Sequence, residues 1–215
     1  MERRFDGEIK EVKASLTKMS YLAMEQIRKS LRAFEKKDFA LAKEVIDGDR
    51  EVDALNKSIE DKALRILLLD APVAKDFRNV SASLKMITDL ERIGDYAVDI
   101  AEEVLTFPNE PYLRLSPSLP EIGEEVIEMV NKAIRCYVNE DPEEAKTLDR
   151  DDDQVDKDYY QIKKELIRLI REKEENSEQA ILFMMIAKYL ERIGDHAVNL
   201  GEWVDYVSTG ELPPR

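Results

Sequence analysis

Apolar residues recur at spacings of three and four along most of the chain, with charged residues between them, which is the pattern of amphipathic helices. The pattern falls into six segments, about residues 5–37, 39–70, 72–105, 119–140, 142–173 and 176–207. Start signals agree with these divisions. Asp141-Pro142 places an N-cap before a proline at the first helical position, and Asp38 and Asn176 are candidates to cap their own helices. The third segment carries a seam at Val73, Phe77, Val80, Leu84, Ile87, Glu91, Gly94, Val98, Ala101 and Leu105, and alternating steps of four and three predict one packed face. The sixth repeats the seam with Ala180, Met184, Ala187, Glu191, Gly194 and Val198. The one long interruption is "TFPNEPYLRLSPSLP", where Pro108, Pro111, Pro117 and Pro120 exclude a continuous helix.

The two sides of that interruption read as copies. Asp38, Ala42, Lys43, Asp49, Val52 and Asp53 recur as Asp141, Ala145, Lys146, Asp152, Val155 and Asp156, displaced by 103. "LERIGDYAV" at Leu90–Val98 recurs as "LERIGDHAV" at Leu190–Val198, displaced by 100. A tandem duplication with three residues lost in one turn accounts for both displacements. The expected fold is all-α: two tandem antiparallel three-helix bundles, six helices in all, with residues 1–106 and 119–215 as the repeats and 107–118 as a proline-rich linker. Ser208 to Arg215 is expected to be a frayed tail.

Composition narrows the function. Seven glycines, eight prolines and 37 % charged residues among 215 favour helix over sheet. A formal charge of −14 opposes nucleic acid and anionic lipid as partners, since both need a basic footprint. The single cysteine, Cys136, rules out an intrachain disulfide and fits a reducing compartment. With no signal peptide and no apolar run of about 18 residues, a cytoplasmic protein is expected.

The candidate chemistry lies in the carboxylates. Glu91 and Asp95 are spaced i, i+4 on the third helix, with Asp99 one further step along; Glu191, Asp195 and Asn199 match them on the sixth. Earlier pairs with the same spacing are Asp49 with Asp53 and Asp152 with Asp156. In an antiparallel hairpin, groups equally far from the turn face each other. Taking turns near residues 72 and 174, the paired midpoints are nearly equidistant, and at 1.5 Å per residue both stand roughly 30 Å down the hairpin. Four carboxylates then converge in each half and call for a counter-ion. An all-oxygen donor set suits hard cations. His196 points about 100° away around the helix, and Tyr96 takes its place in the first copy. Arg92 and Arg192 are expected to pair across to another helix. Trp203, Met184, Met185 and Cys136 read as packing residues.

These residues resemble the PhoU family of phosphate-uptake regulators, on the duplicated three-helix architecture, on "DREVD" and "DDQVD", and on "LERIGDYAVDIAE" and "LERIGDHAVNLGE". The resemblance covers essentially the whole chain. It implies multinuclear metal clusters, iron first and zinc or another divalent cation next, on Asp49, Asp53, Glu91 and Asp95 and on Asp152, Asp156, Glu191 and Asp195. Asp99 is a further ligand candidate, and its neutral counterpart Asn199 makes the two sites unequal. The resemblance also implies a non-enzymatic adaptor that negatively modulates the Pst phosphate transporter and the phosphate-starvation two-component response. Its partners would be the sensor histidine kinase and the transporter's ATP-binding subunit, with membrane association only through them and a homodimer as the oligomer. A carboxylate-bridged iron storage or oxidase bundle is a rival, weakened by the lack of Glu-x-x-His. A metal-free helical adaptor is the other.

Overall fold

Six long helices form from the six amphipathic segments, in a computed structural model that describes residues 4–69, 73–107, 112–115 and 117–212. They are α1 (Arg4–Lys36), α2 (Phe39–Leu69), α3 (Ala74–Thr106), α4 (Leu119–Asn139), α6 (Leu148–Glu172) and α7 (Ser177–Thr209), with a one-turn α5 (Pro142–Ala145) before α6. No strand occurs among the described residues, and none of their helices is long and apolar enough to cross a membrane.

The segment expected as one helix over 142–173 is broken at Lys146-Thr147. Leu148 explains the break. It stands where the first repeat has Val45, and its Cδ1 would lie 2.6 Å from a Cβ on Gly201, whose counterpart is Ala101. The larger side chain is seated by removing a methyl group opposite and turning the chain just before it.

Caps act largely where the sequence places them. Asp38 Oδ1 accepts from Leu41 N–H at 3.0 Å, and Asp141 Oδ1 accepts from Glu144 N–H at 3.0 Å. Asn176 differs. Its side-chain amide donates to Leu169 O at 2.9 Å, closing the end of α6 rather than capping α7. The turn near residue 72 and Arg215, Pro214 and Pro213 of the expected frayed tail lie outside the described residues; α7 itself stays helical to Thr209 and ends on left-handed Gly210.

Helices α1–α3 pack on one another, as do α4, α6 and α7, and the two sets share one core through α3 against α7 and α1 against α4. Leu16, Met19, Ile27, Leu90, Ile93 and Ile127 are fully buried, each contributing about 1.5–3 kcal/mol. Gly123 allows α1 and α4 to approach, since a Cβ there would lie 2.1 Å from Leu31 Cδ1.

The predicted α3 seam is offset by one residue from the face that packs. The buried stripe runs through Ser83, Met86, Leu90, Ile93, Gly94, Ala97, Ile100 and Val104, whereas Val73, Phe77 and Leu105 are exposed. One residue is 100° around a helix, so the predicted seam runs along the flank of the packed stripe, with Leu84, Glu91 and Val98 half-buried. Glu91 consequently sits at the margin of the packed face, half-buried.

The linker does more than connect. Tyr112, Leu113 and Leu115 pack onto the core, and Leu113 N–H donates to Gln179 Oε1 at 3.2 Å. Tyr112 stacks on Phe34 at 4.8 Å and meets Phe107 and Phe183 edge-on or tilted. Residues 108–111 and 116 of the expected linker lie outside the described residues.

Candidate metal centres

Both hairpins bring the paired acids together at the expected height. A Cβ on Gly94 would meet Asp49 Oδ1 at 3.5 Å, so α2 crosses α3 with Asp49 against the glycine of Glu91-Arg-Ile-Gly-Asp. In the second repeat a Cβ on Gly194 would lie only 2.7 Å from Asp152 Oδ1. The repeated glycine thereby has a use: it lets a carboxylate from the facing helix approach the backbone, which offsets the ~1 kcal/mol a mid-helix glycine costs.

Electrostatics tie the four acids of each half. Burial raises the Asp49 carboxyl above its usual range, Asp53 and Asp95 add to the rise, and a bond from Gln26 opposes it. Burial, Asp95, Asp53 and Asp49 raise Glu91 against the lowering effect of Arg92. Asp95 is raised by burial and Asp53, again opposed by Arg92. Asp152 is pushed from its ordinary 3.8 to about 6, first by burial and then by Asp195, Asp156, Glu191 and Asp153. Its Oδ1 is buried and has no hydrogen-bond partner. An unpaired carboxylate oxygen among other carboxylates is a donor waiting for a cation or a proton.

Gln26 belongs to the first cluster although the sequence reading passed over it. Its amide donates to Asp49 Oδ1 at 3.4 Å, and its Oε1 is buried, unpartnered and 3.3 Å from the position of a Gly94 Cβ. The available signal was a polar residue at a seam position of α1, between Ala23 and Ser30 in steps of three and four. Its counterpart is Met129, whose Cε lies 3.9 Å from a Gly194 Cβ. The first half therefore holds a neutral oxygen donor where the second holds a thioether.

Asn199 turns from the second cluster, and Asp99 stands at the edge of the first, where burial, Glu102 and Asp95 raise its carboxyl. An i, i+4 column drifts 40° per step, so position 99 stands about 80° around from Glu91 and turns toward the other repeat. Asp99 helps raise the Tyr189 hydroxyl across α3 and α7. Asn199 Nδ2 donates to Asp89 Oδ1 at 3.2 Å, and His196 Nδ1 shares that oxygen at 2.8 Å. Arg92 and Arg192 also depart from expectation: each reaches the acid three residues on in its own helix, Asp95 and Asp195, at 3.2 Å. Glu191 is held by Lys188 at 2.6 Å, where the first repeat has Thr88.

Among the described residues no three carboxylate, imidazole or thiol side chains surround one ion-sized point. The donor chemistry nonetheless fits a hard cation: facing all-oxygen groups, orphaned Asp152 Oδ1 and Gln26 Oε1, and space kept by two glycines. Drawing the acids around an ion means opening the Arg92–Asp95, Arg192–Asp195 and Lys188–Glu191 pairs. The two arginine pairs are exposed and contribute about 0.3–0.5 kcal/mol each, whereas Glu191 is well buried beside Lys188, so the second site is the harder to close.

Residues 16–104 and 119–204 each match the family pattern described as the PhoU domain. The chain is 34 % identical over 208 residues to a phosphate-specific transport system accessory protein PhoU homolog of Clostridium acetobutylicum, covering 96 % of this chain and 95 % of that one. It is 37 % identical over 205 residues to the homolog from Aquifex aeolicus, covering 95 % and 93 %. The crystal structure of the phosphate transport system regulatory protein PhoU from Streptococcus pneumoniae superposes with a TM-score of 0.92 at 29 % identity, covering 99 % of this chain and all of that one. PhoU from Pseudomonas aeruginosa gives 0.91 at 29 % identity, covering 97 % and 100 %.

Proposed function

Because the chain belongs to the PhoU family, we propose that it is a regulator of phosphate uptake, restraining a Pst-type phosphate transporter and the two-component response to phosphate starvation. The observation that carries the reading is the match to accessory proteins of phosphate transport along almost the whole of both chains. In this reading the protein is a cytoplasmic adaptor rather than an enzyme, contacting the sensor histidine kinase and the transporter's ATP-binding subunit and acting as a homodimer. Deleting it derepresses phosphate-starvation genes while phosphate is plentiful; unchanged expression overturns the role.

The carboxylate clusters are proposed to hold multinuclear metal, iron first and zinc or another divalent cation next. Asp49, Asp53, Glu91 and Asp95, with Gln26 beside them, would serve the first half; Asp152, Asp156, Glu191 and Asp195 would serve the second. The metal supplies positive charge where several carboxylates face one another. The chain's own contribution is to hold α2 against α3 and α6 against α7, so that ion binding fixes the faces offered to partners. Support comes from the buried, unpaired oxygens and the raised carboxyls. Metal content of protein purified without chelator, compared with the Asp95→Ala, Asp195→Ala double variant, tests it. Equal content sinks the assignment and leaves a metal-free adaptor, the reading favoured by the Lys188–Glu191 and Arg192–Asp195 pairs.

A further inference from the structure

The two carboxylate centres repeat one another in their acids but not in their surroundings, and two differences decide how each meets a cation. The first difference stands on α7. Lys188 Nζ donates to both carboxylate oxygens of Glu191, to Oε2 at 2.6 Å, and lies 5.3 Å from the centre of the Tyr159 ring. The Glu191 side chain is only 13 % exposed, so this ammonium meets a carboxylate largely withdrawn from water. The first repeat has neither part. The displacement of 100 puts Thr88 at the lysine position, and the displacement of 103 puts Asn56 at the tyrosine position. Thr88 turns its hydroxyl back to Leu84 O at 3.4 Å, and burial, Asp95, Asp53 and Asp49 leave Glu91 with a raised carboxyl against the opposing Arg92.

The second difference lies opposite the repeated glycine. Gln26 is 7 % exposed, and its unpartnered Oε1 stands beside Asp49, 3.3 Å from the position of a Gly94 Cβ. In the second repeat the Met129 methyl takes that place, 3.9 Å from the position of a Gly194 Cβ. Arg92 and Arg192 burden the two centres alike, each 3.2 Å from its aspartate, with Arg192 adding a longer contact of 3.9 Å to Glu191. A hard cation entering the first centre thus finds an added oxygen donor and, among the described residues, no ammonium on its glutamate. One entering the second finds a methyl group and a lysine already in place.

We propose that Lys188 is a tethered cation that occupies the second centre until a divalent metal displaces it, so that the two centres fill in order, the first before the second. The inference rests on the reading of the clusters as metal sites, and adds the order of loading and the group that sets it. Displacement exchanges the ammonium at Glu191 for a metal ion and sends it off the Tyr159 face into solvent. Loading of the second centre thereby changes the surface where α6 meets α7, at a metal level above the one that fills the first.

The test uses the full-length protein, stripped with chelator and titrated with Mn²⁺, with bound ion followed by calorimetry and by loss of the free-ion paramagnetic resonance signal. Two phases are expected, separated by about tenfold or more in affinity. Asp95→Ala removes the tight phase and Asp195→Ala the weak one. Lys188→Thr, which installs the residue of the first repeat, tightens the weak phase about tenfold and leaves the tight phase unchanged. The reciprocal pair, Asn56→Tyr with Thr88→Lys, builds the latch into the first repeat and weakens the tight phase about tenfold. Acetylation gives a reading that a merely structural lysine would not move: the Lys188 amine, followed by mass spectrometry, becomes more reactive only across the weak phase. Weak-phase affinity indifferent to Lys188→Thr, or Lys188 acetylation indifferent to Mn²⁺, overturns the proposal and leaves the clusters as metal sites. Absence of Mn²⁺ binding at either centre overturns both.

Discussion

Asp152→Asn separates charge from shape at the most perturbed carboxyl among the described residues. Raising Asp152 from 3.8 to about 6 would correspond to about 3 kcal/mol if the whole difference counted. The group is only half-buried, and screening brings the figure to about 1.5 kcal/mol. A raised acid binds its proton more tightly in the folded protein. The stability linked to that proton is therefore fully present below pH 3.8 and lost as the pH rises through about 6. Asparagine keeps the shape without the charge. In chelator-treated protein at pH 8 it should raise stability by about 1.5 kcal/mol, which for a chain of this length moves the midpoint by about 3–6 °C. At pH 4 the gain should nearly vanish. Adding a divalent cation reverses the order, because wild type gains binding energy through Asp152 and the variant gains less. Thermal melts at pH 4 and pH 8, with and without metal, read all four conditions. A midpoint for Asp152→Asn equal to that of wild type at pH 8, or a gain independent of pH, would refute the account of the cluster.

The repeated glycines give a graded test by calorimetric metal titration. Gly194→Ala, which drives a methyl within 2.7 Å of Asp152 Oδ1, should lower second-site affinity about tenfold, and Gly94→Ala should affect the first site less. Tyr137→Phe removes the hydroxyl that joins Ser83 and Asn79, at a cost of about 1–2 kcal/mol in urea unfolding. Gly123→Ala overpacks against Leu31 by about 1–3 kcal/mol. Adding Leu31→Ala should recover part of that loss, whereas strict additivity would show that the two positions do not share a contact.

Hairpin register was legible because duplication let one half check the other: Asp49 faces Gly94, and Asp152 faces Gly194, where equal distances from the turns put them. What escaped the sequence depends on rotation or on long-range packing. Asp99 and Asn199 share a column with the ligand candidates on paper, yet the 40° drift turns Asn199 to the repeat contact and sets Asp99 at the edge of the first cluster. Gln26 comes from a helix that the hairpin geometry does not include. The break before Leu148 depends on Gly201, more than fifty residues on, and the fixing of the linker depends on aromatics from α1, from α7 and from the residue that ends α3. Arg92 and Arg192 show that a long side chain can bend back three residues to an acid on its own helix.

The antiparallel contact of α3 with α7 also carries information about pairing choice. Asn199 and His196 meet Asp89, and Asp99 meets the side of Tyr189, so these two acids of α3 face neutral or protonatable groups on α7. Were two copies of the first repeat to meet through α3 in the same register, Asp89 would stand opposite Asp99 at both ends. Like charges at a half-buried helix contact disfavour that dimer. The substitutions that separate the halves after duplication thus match the first repeat to a second repeat rather than to another first repeat, which selects against self-pairing through α3.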